Sequence, residues 1–315
     1  MNLPKVSVGV PSYNYSKYII ETLNSVVNQT YSNIELIIVD DCSADNSVEV
    51  INQWIAAYKG EKKIAFIVNA VNMGVTKTCS VILQHASGKY ITWLDSDDLI
   101  FPDKIEKQVK VLEKAGSDTG FIYSNVNIID AKGMVIGYDY MLSIGYNYKK
   151  MPTGNIFEML FDFNFVPALS ILANVACVKA IGGFDDRVAL HDYYIWLALS
   201  KKYQVAYIPE HTASYRIHGG LSLSNSPKTK TKMLEGVLVV LYQHYDTGSI
   251  VVKKKIENLV IDIAPALYKF KYPTAKYWLK LAFQFKPGFK TGLYYWGGCL
   301  GLSYNFFGKI RSTFE

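Results

Sequence analysis

Tyr90-Ile91-Thr92-Trp93-Leu94-Asp95-Ser96-Asp97-Asp98 is the stretch from which the rest of the chain is read. An apolar, strand-like run ends there in three carboxylates within four positions. Carboxylates so close repel and raise one another's pKa, so the cluster has to be solvated, hydrogen-bonded or bound to a cation. A strand leading into Asp-x-Asp sets its carboxylates at the carboxyl end of a sheet, where open α/β folds bind ligands. Two readings compete: a site for a cation and a diphosphate, or a solvated acidic turn capping the helix that starts near Pro102.

Working outward, strands alternate with helices. Residues 5–11 read as a buried strand stopping at Pro11, and Ile19, Leu23, Val26 and Val27 recur on one face of a helix over 17–29. Leu36-Ile37-Ile38-Val39 is a continuous apolar run, as a parallel strand covered on both faces requires, and it ends in Asp40-Asp41. A helix over 48–58, a strand over 64–68, the turn Asn72-Met73-Gly74, a helix over 75–85 and a helix opened by Pro102 complete the alternation. The expected fold is α/β, a mostly parallel, doubly wound, Rossmann-like sheet. Beyond Gly120 the pattern predicts a strand over 121–126, a hairpin turning near Gly133, helices over 174–181 and 190–201, and short strands over 205–208 and 212–215. From about residue 227 the character becomes helical and lysine-rich, so the chain divides into a domain over 1–225 and a C-terminal helical extension over 226–315.

With 315 residues, half of them hydrophobic, the chain can bury a full core. Cys42, Cys79, Cys177 and Cys299 are widely spaced with no Cys-x-x-Cys pair, which points to a reducing compartment and to neither a disulfide framework nor a zinc knuckle. The start lacks the basic flank and apolar core of a secretory signal, so a cytoplasmic protein is expected. The net charge of +6 is unevenly placed: residues 226–315 hold 14 Lys+Arg against 5 Asp+Glu, while the body is slightly acidic. Only Arg187, Arg216 and Arg311 are arginines, which disfavours nucleic-acid recognition. A tail rich in Lys, Tyr, Phe and Trp suits an anionic membrane surface. Residues 291–308 carry no formal charge, but Gly292, Gly297, Gly298 and Gly301 weaken them as a spanning helix. An in-plane or re-entrant contact is expected, with Tyr294, Tyr295, Trp296, Phe306 and Phe307 at interface depth; the alternative is a helix packed on the body.

No Gly-x-Gly-x-x-Gly follows the first strand and no Gly-x-x-x-x-Gly-Lys-Ser/Thr occurs, so dehydrogenases and P-loop NTPases lose their defining phosphate loops. In order along the chain stand Val6-Ser-Val-Gly-Val-Pro-Ser-Tyr-Asn14, Gln29-Thr-Tyr31, the strand into Asp41, Asn72-x-Gly74 and Gly88-Lys-Tyr-Ile-Thr-Trp-Leu-Asp-Ser-Asp-Asp98. Gly182-Gly-Phe-Asp185, His191-Asp192 and Tyr215-Arg-Ile-His218 with Ser222-Leu-Ser224 follow. Over about residues 4–225 this resembles the family-two glycosyltransferases of the GT-A fold.

The resemblance implies an inverting enzyme that takes a sugar from a UDP-sugar, with Mn²⁺ or Mg²⁺ as cofactor. Pro11 and Tyr13 would line the nucleotide, with Tyr13 stacked on the base. Asp41 would accept the imide N–H of uracil, while Asp40 supports the loop. Asp95 would lie near the ribose or the metal, and Asp97 would bind the cation bridging the diphosphate. Asp192 would be the general base, with His191 in place of the usual acidic neighbour. Arg216 and His218 would close over the diphosphate, and Asp98 would cap the next helix. Thr78-Cys79-Ser80 replaces an Ala-Arg-Asn triplet common among relatives, leaving Lys77 as the nearest substitute charge. The basic tail and the implied chemistry together favour a lipid-linked glycan acceptor in surface-polysaccharide assembly, reached by an enzyme peripheral to the inner membrane face. A processive synthase is disfavoured, for the chain has no Gln-x-x-Arg-Trp motif. The rival from another class is a non-catalytic nucleotide-sugar or glycan-binding protein that keeps the fold.

Overall fold

The computed structural model describes residues 3–188, 190–218 and 227–304, without the side chains of 227–231. Two compact units are formed, one within Met1–Arg187 and His191–Gly220, the other within Val188–Leu190 and Leu221–Glu315.

The first unit begins with β1 (Val6–Ser12), α1 (Ile19–Val27), β2 (Ile34–Asp40), α2 (Ser47–Ala57), β3 (Lys63–Val68), α3 (Val75–His85) and β4 (Tyr90–Trp93). After them come β5 (Leu99–Ile100), α4 (Lys104–Ala115), β6 (Thr119–Ile129), β7 (Val135–Gly137) and the one-turn α5 (Tyr140–Ser143). β8 (Leu172–Asn174), α6 (Val175–Ala180), α7 (His191–Ser200) and β9 (Gln204–Arg216) complete it. The strands form one sheet in the order β3-β2-β1-β4-β8-β6-β9-β5, with β7 paired to β6. The first four strands are mutually parallel, and β2, between β1 and β3, carries the continuous apolar run that burial on both faces favours. β8 then runs antiparallel between β4 and β6, and β9 parallel to β6. The two short strands expected over 205–208 and 212–215 are one strand, bent where its register against β6 shifts between Ser124 and Val126.

The core joins both ends of the chain's first unit: Val6, Val8 and Val10 of β1 pack with Leu23 and Val26 of α1, Leu36 and Ile38 of β2, Ile122 and Val126 of β6, and Ile208 and Ala213 of β9. α3 seats on β1 because Gly9 has no side chain; a Cβ there would lie 2.2 Å from the Ile82 Cγ2.

Below β4 lies a wholly buried lysine. Lys104 Nζ donates to the Ile171 carbonyl at 2.8 Å and to Thr92 Oγ1 at 3.3 Å. It thereby ties β4, three residues before Asp95, to the segment entering β8. One helical turn on, the Gln108 amide donates to the Ser170 carbonyl at 2.6 Å. Lys104 comes from the helix predicted at Pro102, but that helix begins at Lys104 with Asp103 at its cap.

In the second unit, α8 (Pro227–Tyr242), α9 (Ile250–Lys269), α10 (Ala275–Phe285) and α11 (Phe289–Cys299) follow one another. Val252, Ile256, Val260, Ala264 and Leu267 form the buried stripe of α9, and Trp278, Leu279 and Ala282 that of α10. No helix among the described residues is long and apolar enough to cross a membrane. The uncharged segment 291–308 divides: part belongs to α11, and Phe306 and Phe307 lie outside the described residues. Tyr295 is stacked on Phe283 and Tyr294 on Tyr304, both half-buried, while Trp296 is exposed.

Burial pushes the Lys104 ammonium down to about 7 from an ordinary 10.5. The folded value lies below the unfolded one, so folding releases a proton in that window and stability rises with pH across it. Relative to Lys104→Met, the native chain should gain up to about 1.4 kcal/mol per pH unit between about pH 7 and about pH 10, measured by denaturant titration. Parallel pH dependences for the two proteins would show that Lys104 stays charged in the fold.

Candidate active site

Parallel register sets the ends of β1, β2 and β4 side by side, with Ser12 opposite Asp40 and Gly9 opposite Trp93. The loops leaving these ends build the site. Leu94 N–H donates to the Gly9 carbonyl at 2.9 Å, and the Ser96 hydroxyl donates to the Pro11 carbonyl. Pro11 is buried, so its contribution is this carbonyl, which anchors the acidic loop. Tyr13, next but one, is 42 % exposed. Asn14 then takes a left-handed conformation at φ 58°, which Asn tolerates better than most residues, and its Oδ1 accepts from Ala44 N–H at 2.7 Å. The Ser-Tyr-Asn sequence thus presents Tyr13 at the mouth and locks the loop to the one after β2.

The two aspartates ending β2 differ in role. Asp40, fully buried, accepts from the Ser12 hydroxyl at 3.1 Å, from Ser43 N–H at 2.8 Å and from the Ser43 hydroxyl at 2.7 Å, supporting the loop. Asp41 accepts from Asn69 Nδ2 at 2.8 Å and from Met73 and Gly74 N–H at 2.9 and 2.7 Å. These three bonds join the ends of β2 and β3 to the start of α3 around a buried carboxylate, which has room for about four.

The acidic loop is held from β9. Arg216, whose side chain is wholly buried, donates from Nε to the Asp97 carbonyl at 2.7 Å, from one terminal nitrogen to Glu21 at 2.7 Å and from the other to the Asp130 carbonyl at 3.3 Å. It also lies over the Tyr18 ring, 4.9 Å from the centroid. In this structure the guanidinium's donors are engaged by two main-chain carbonyls and Glu21, so Arg216 holds the acidic loop. Arg216 N–H donates to the buried Asp98 carboxylate at 2.8 Å, and the Asp98 carbonyl accepts from the Thr22 hydroxyl at 2.8 Å. Asp98 is not the cap of α4, as its spacing had indicated; burial and the charges of Asp97 and Asp95 push its carboxyl well above the usual range, against the pull of Arg216.

Asp97 is placed differently. Its Oδ2 meets His218 Nε2 at 2.9 Å, and the Tyr15 hydroxyl also bonds to it. His218 is stacked on Tyr18 at 4.9 Å between centroids and meets Tyr15 edge-on at 5.9 Å. Asp95 accepts no side-chain hydrogen bond among the described residues. The protein packed around it and the charges of Asp97 and Asp192 push its carboxyl up to about 7. The residue as a whole lies at the surface of the loop.

Asp192 enters from the first turn of α7, near enough to Asp95 for their charges to interact. Both also raise the thiol of Cys79, fully buried on α3, after burial itself. The departure at Thr78-Cys79-Ser80 thus places a neutral thiol facing the two acids, while Lys77 is exposed. Burial lowers the pKa of His191, so a neutral ring adjoins Asp192. The ring lies 5.9 Å from Phe184, which in turn meets Trp93 edge-on at 5.1 Å. Tyr13, Asp41, Asp95, Asp97, Asp192 and His218 all belong to loops or helix starts at this one sheet edge. Sequence reading gave no role to Tyr15, Tyr18, Glu21, Asn69 or Ser96; the visible signals were the aromatic-rich loop after Asn14 and a lone acid in the first turn of α1.

Residues 7–157 match the family described as Glycosyl transferase family 2. The chain is 32 % identical over 226 residues to an uncharacterized glycosyltransferase of Haemophilus influenzae, covering 71 % of this chain and 68 % of the relative. Its fold is similar to that of S. aureus TarS 1-349 in complex with UDP-GlcNAc, with a TM-score of 0.60 and 16 % identity over 95 % of this chain and 92 % of the other. It is likewise similar to the mannosyltransferase PcManGT from Pyrobaculum calidifontis in complex with GDP-Man and Mn²⁺, with a TM-score of 0.61 and 17 % identity over 98 % of this chain and 84 % of the other. A GT-A-like α/β fold, an acidic loop at the parallel strand ends and these relatives agree: the chain is a member of glycosyltransferase family 2.

Proposed function

We propose that this glycosyltransferase is inverting, depends on a divalent cation, uses a UDP-sugar as donor and transfers the sugar to a hydroxyl of a lipid-linked glycan at the inner face of the membrane. The observation that carries the reading is the meeting of Asp95, Asp97 and Asp192 from distant parts of the chain at one sheet edge. On the nucleotide side, Tyr13 offers an exposed ring for the base, and Asp41 has a lone pair left for an imide N–H.

Among the described residues, no three or more His, Cys, Asp or Glu side chains are grouped to hold a metal on their own. Asp97 and its neighbour His218 nonetheless supply an oxygen and a nitrogen donor, with the crowded Asp95 beside them. That set fits a hard cation sharing its shell with phosphate oxygens, as Mg²⁺ commonly does. Bound Mn²⁺ or Mg²⁺ would offset the charge that grows on the leaving diphosphate. Asp192 accepts the proton of the acceptor hydroxyl as that oxygen attacks C1, since a carboxylate is too weak a base to ionise an alcohol beforehand. Back-side attack then inverts the anomeric centre. Arg216 is a positioning residue that holds the acidic loop from below.

Asp97→Ala should abolish Mn²⁺-dependent UDP binding in calorimetry; equal affinity with and without Mn²⁺ in the native chain would remove the metal role. Asp192→Asn should retain UDP binding and lose transfer by at least about a hundredfold, the usual scale of general-base catalysis. Turnover at the native rate would exclude it as the base. Arg216→Ala should destabilise the fold by about 3 kcal/mol, because it leaves the Asp97 and Asp130 carbonyls without their donor and Glu21 without its ion pair. Denaturant titration measures this, and an unchanged midpoint would refute the strut.

A further inference from the structure

The second unit displays an apolar face that its own helices do not cover. Phe289, Trp296 and Leu300 are 76 %, 58 % and 75 % exposed. Spaced i, i+7, i+11, with the half-buried Leu293 between them, they fall on a single stripe that runs from the start of α11 to Leu300 at its C-cap. The opposite side of the helix is the packed one. Gly298 lies against Leu279 and Tyr268, Tyr295 is stacked on Phe283, and Tyr294 on Tyr304. The glycine permits this close approach, so the helix seats by its small and aromatic side and turns its bulkiest apolar side chains to solvent.

Charge identifies what covers the stripe. From residue 263 to residue 314 the chain holds no Asp or Glu but eight Lys and Arg. Lys286 and Lys290 bracket Phe289, and Lys276 and Lys280 line the solvent side of α10 beside Tyr277; all four lysines are exposed. Acids that would pair with a basic protein partner's counter-charges or with another copy's lysines are missing from this stretch, so a second copy of the same face would meet it with like charge. Apolar side chains rimmed by lysines, on a helix too short to span, match an anionic bilayer surface: the ring and leucyl groups enter the headgroup boundary and the ammonium groups meet lipid phosphates.

We infer that the α10–α11 face is a membrane-docking surface that lies in the plane of an anionic leaflet and is inserted through Phe289, Trp296 and Leu300. This deepens the inner-membrane reading above, but it is tested without reference to sugar transfer. The full chain is floated with vesicles of phosphatidylcholine alone and of phosphatidylcholine with about a third phosphatidylglycerol, at low and high salt. Binding is expected to the anionic vesicles, weakening with salt. The triple variant Phe289→Ser, Trp296→Ser, Leu300→Ser should lose it at least about tenfold. Lys286→Glu with Lys290→Glu should also weaken it. Circular dichroism and UDP binding should match the native chain in both variants, which keeps the test separate from the donor site. Equal binding to neutral and anionic vesicles, undiminished binding by the triple variant, or a change of oligomeric state in solution on the triple substitution would each overturn the proposal; the last would mark the face as a contact between copies.

Discussion

The buried guanidinium of Arg216 is the constraint on which the acidic loop depends. A cation taken wholly out of water is tolerated only when its donors and its charge are matched. Here two main-chain carbonyls, Glu21 and the Tyr18 ring supply that match. The arrangement joins four parts of the unit that are far apart in sequence: the end of β9, the acidic loop, the first turn of α1 and the hairpin after β6. It also accounts for a carboxylate cluster that repulsion alone would splay apart. Asp97 is held through its carbonyl, and Asp98 through its side chain to the backbone of Arg216. The loop is thus fixed chiefly through its main chain, which leaves the carboxylates of Asp95 and Asp97 on its upper side to their own neighbours.

β9 has to be long for this. It must pair with β6 along its length and still deliver Arg216 and His218 to the edge where β1, β2 and β4 end. The register shift near Asn125 bends it, and there Asn125 bonds to Asp139 at 2.6 Å and lies 3.1 Å from His211. A straight strand of the same length would keep the uninterrupted register of the first four strands. The bulge is therefore part of how the last strand reaches the site.

The first half of the sheet was legible because its inner strands β1, β2 and β4 are covered on both faces, so that burial writes itself into runs such as Leu36-Ile37-Ile38-Val39, while β3 at the edge is partly exposed. The strand-end acids were legible for the same reason: a charge that terminates such a run has few other places to lie. β5 and β8, two and three residues long, are too short to show a period, and β9 is broken into two apparent strands by its polar bend. The role of Arg216 was hidden because a sequence gives charge and order but not depth. An arginine beside an anion site reads as an anion ligand, whereas here its donors are taken up by carbonyls below. Likewise the glycines of α11 read as helix weakeners, and only packing shows Gly298 to be a contact surface that turns the opposite stripe outward.

The three acids of the loop end in three distinct environments, and that separation follows from what each can bond. Asp98 is buried with a backbone donor, so its side chain is committed to the fold. Asp97 meets the imidazole of His218 at its Oδ2 and the phenol of Tyr15. Asp95 faces Asp97 and Asp192 with no hydrogen bond from a side chain to offset them among the described residues. The repulsion that no side-chain donor offsets is therefore that at Asp95, on the exposed side of the loop. On the proposed reading, a divalent cation held by Asp97 would offset that negative charge, while Asp98 and Arg216 hold the main chain of the loop in place.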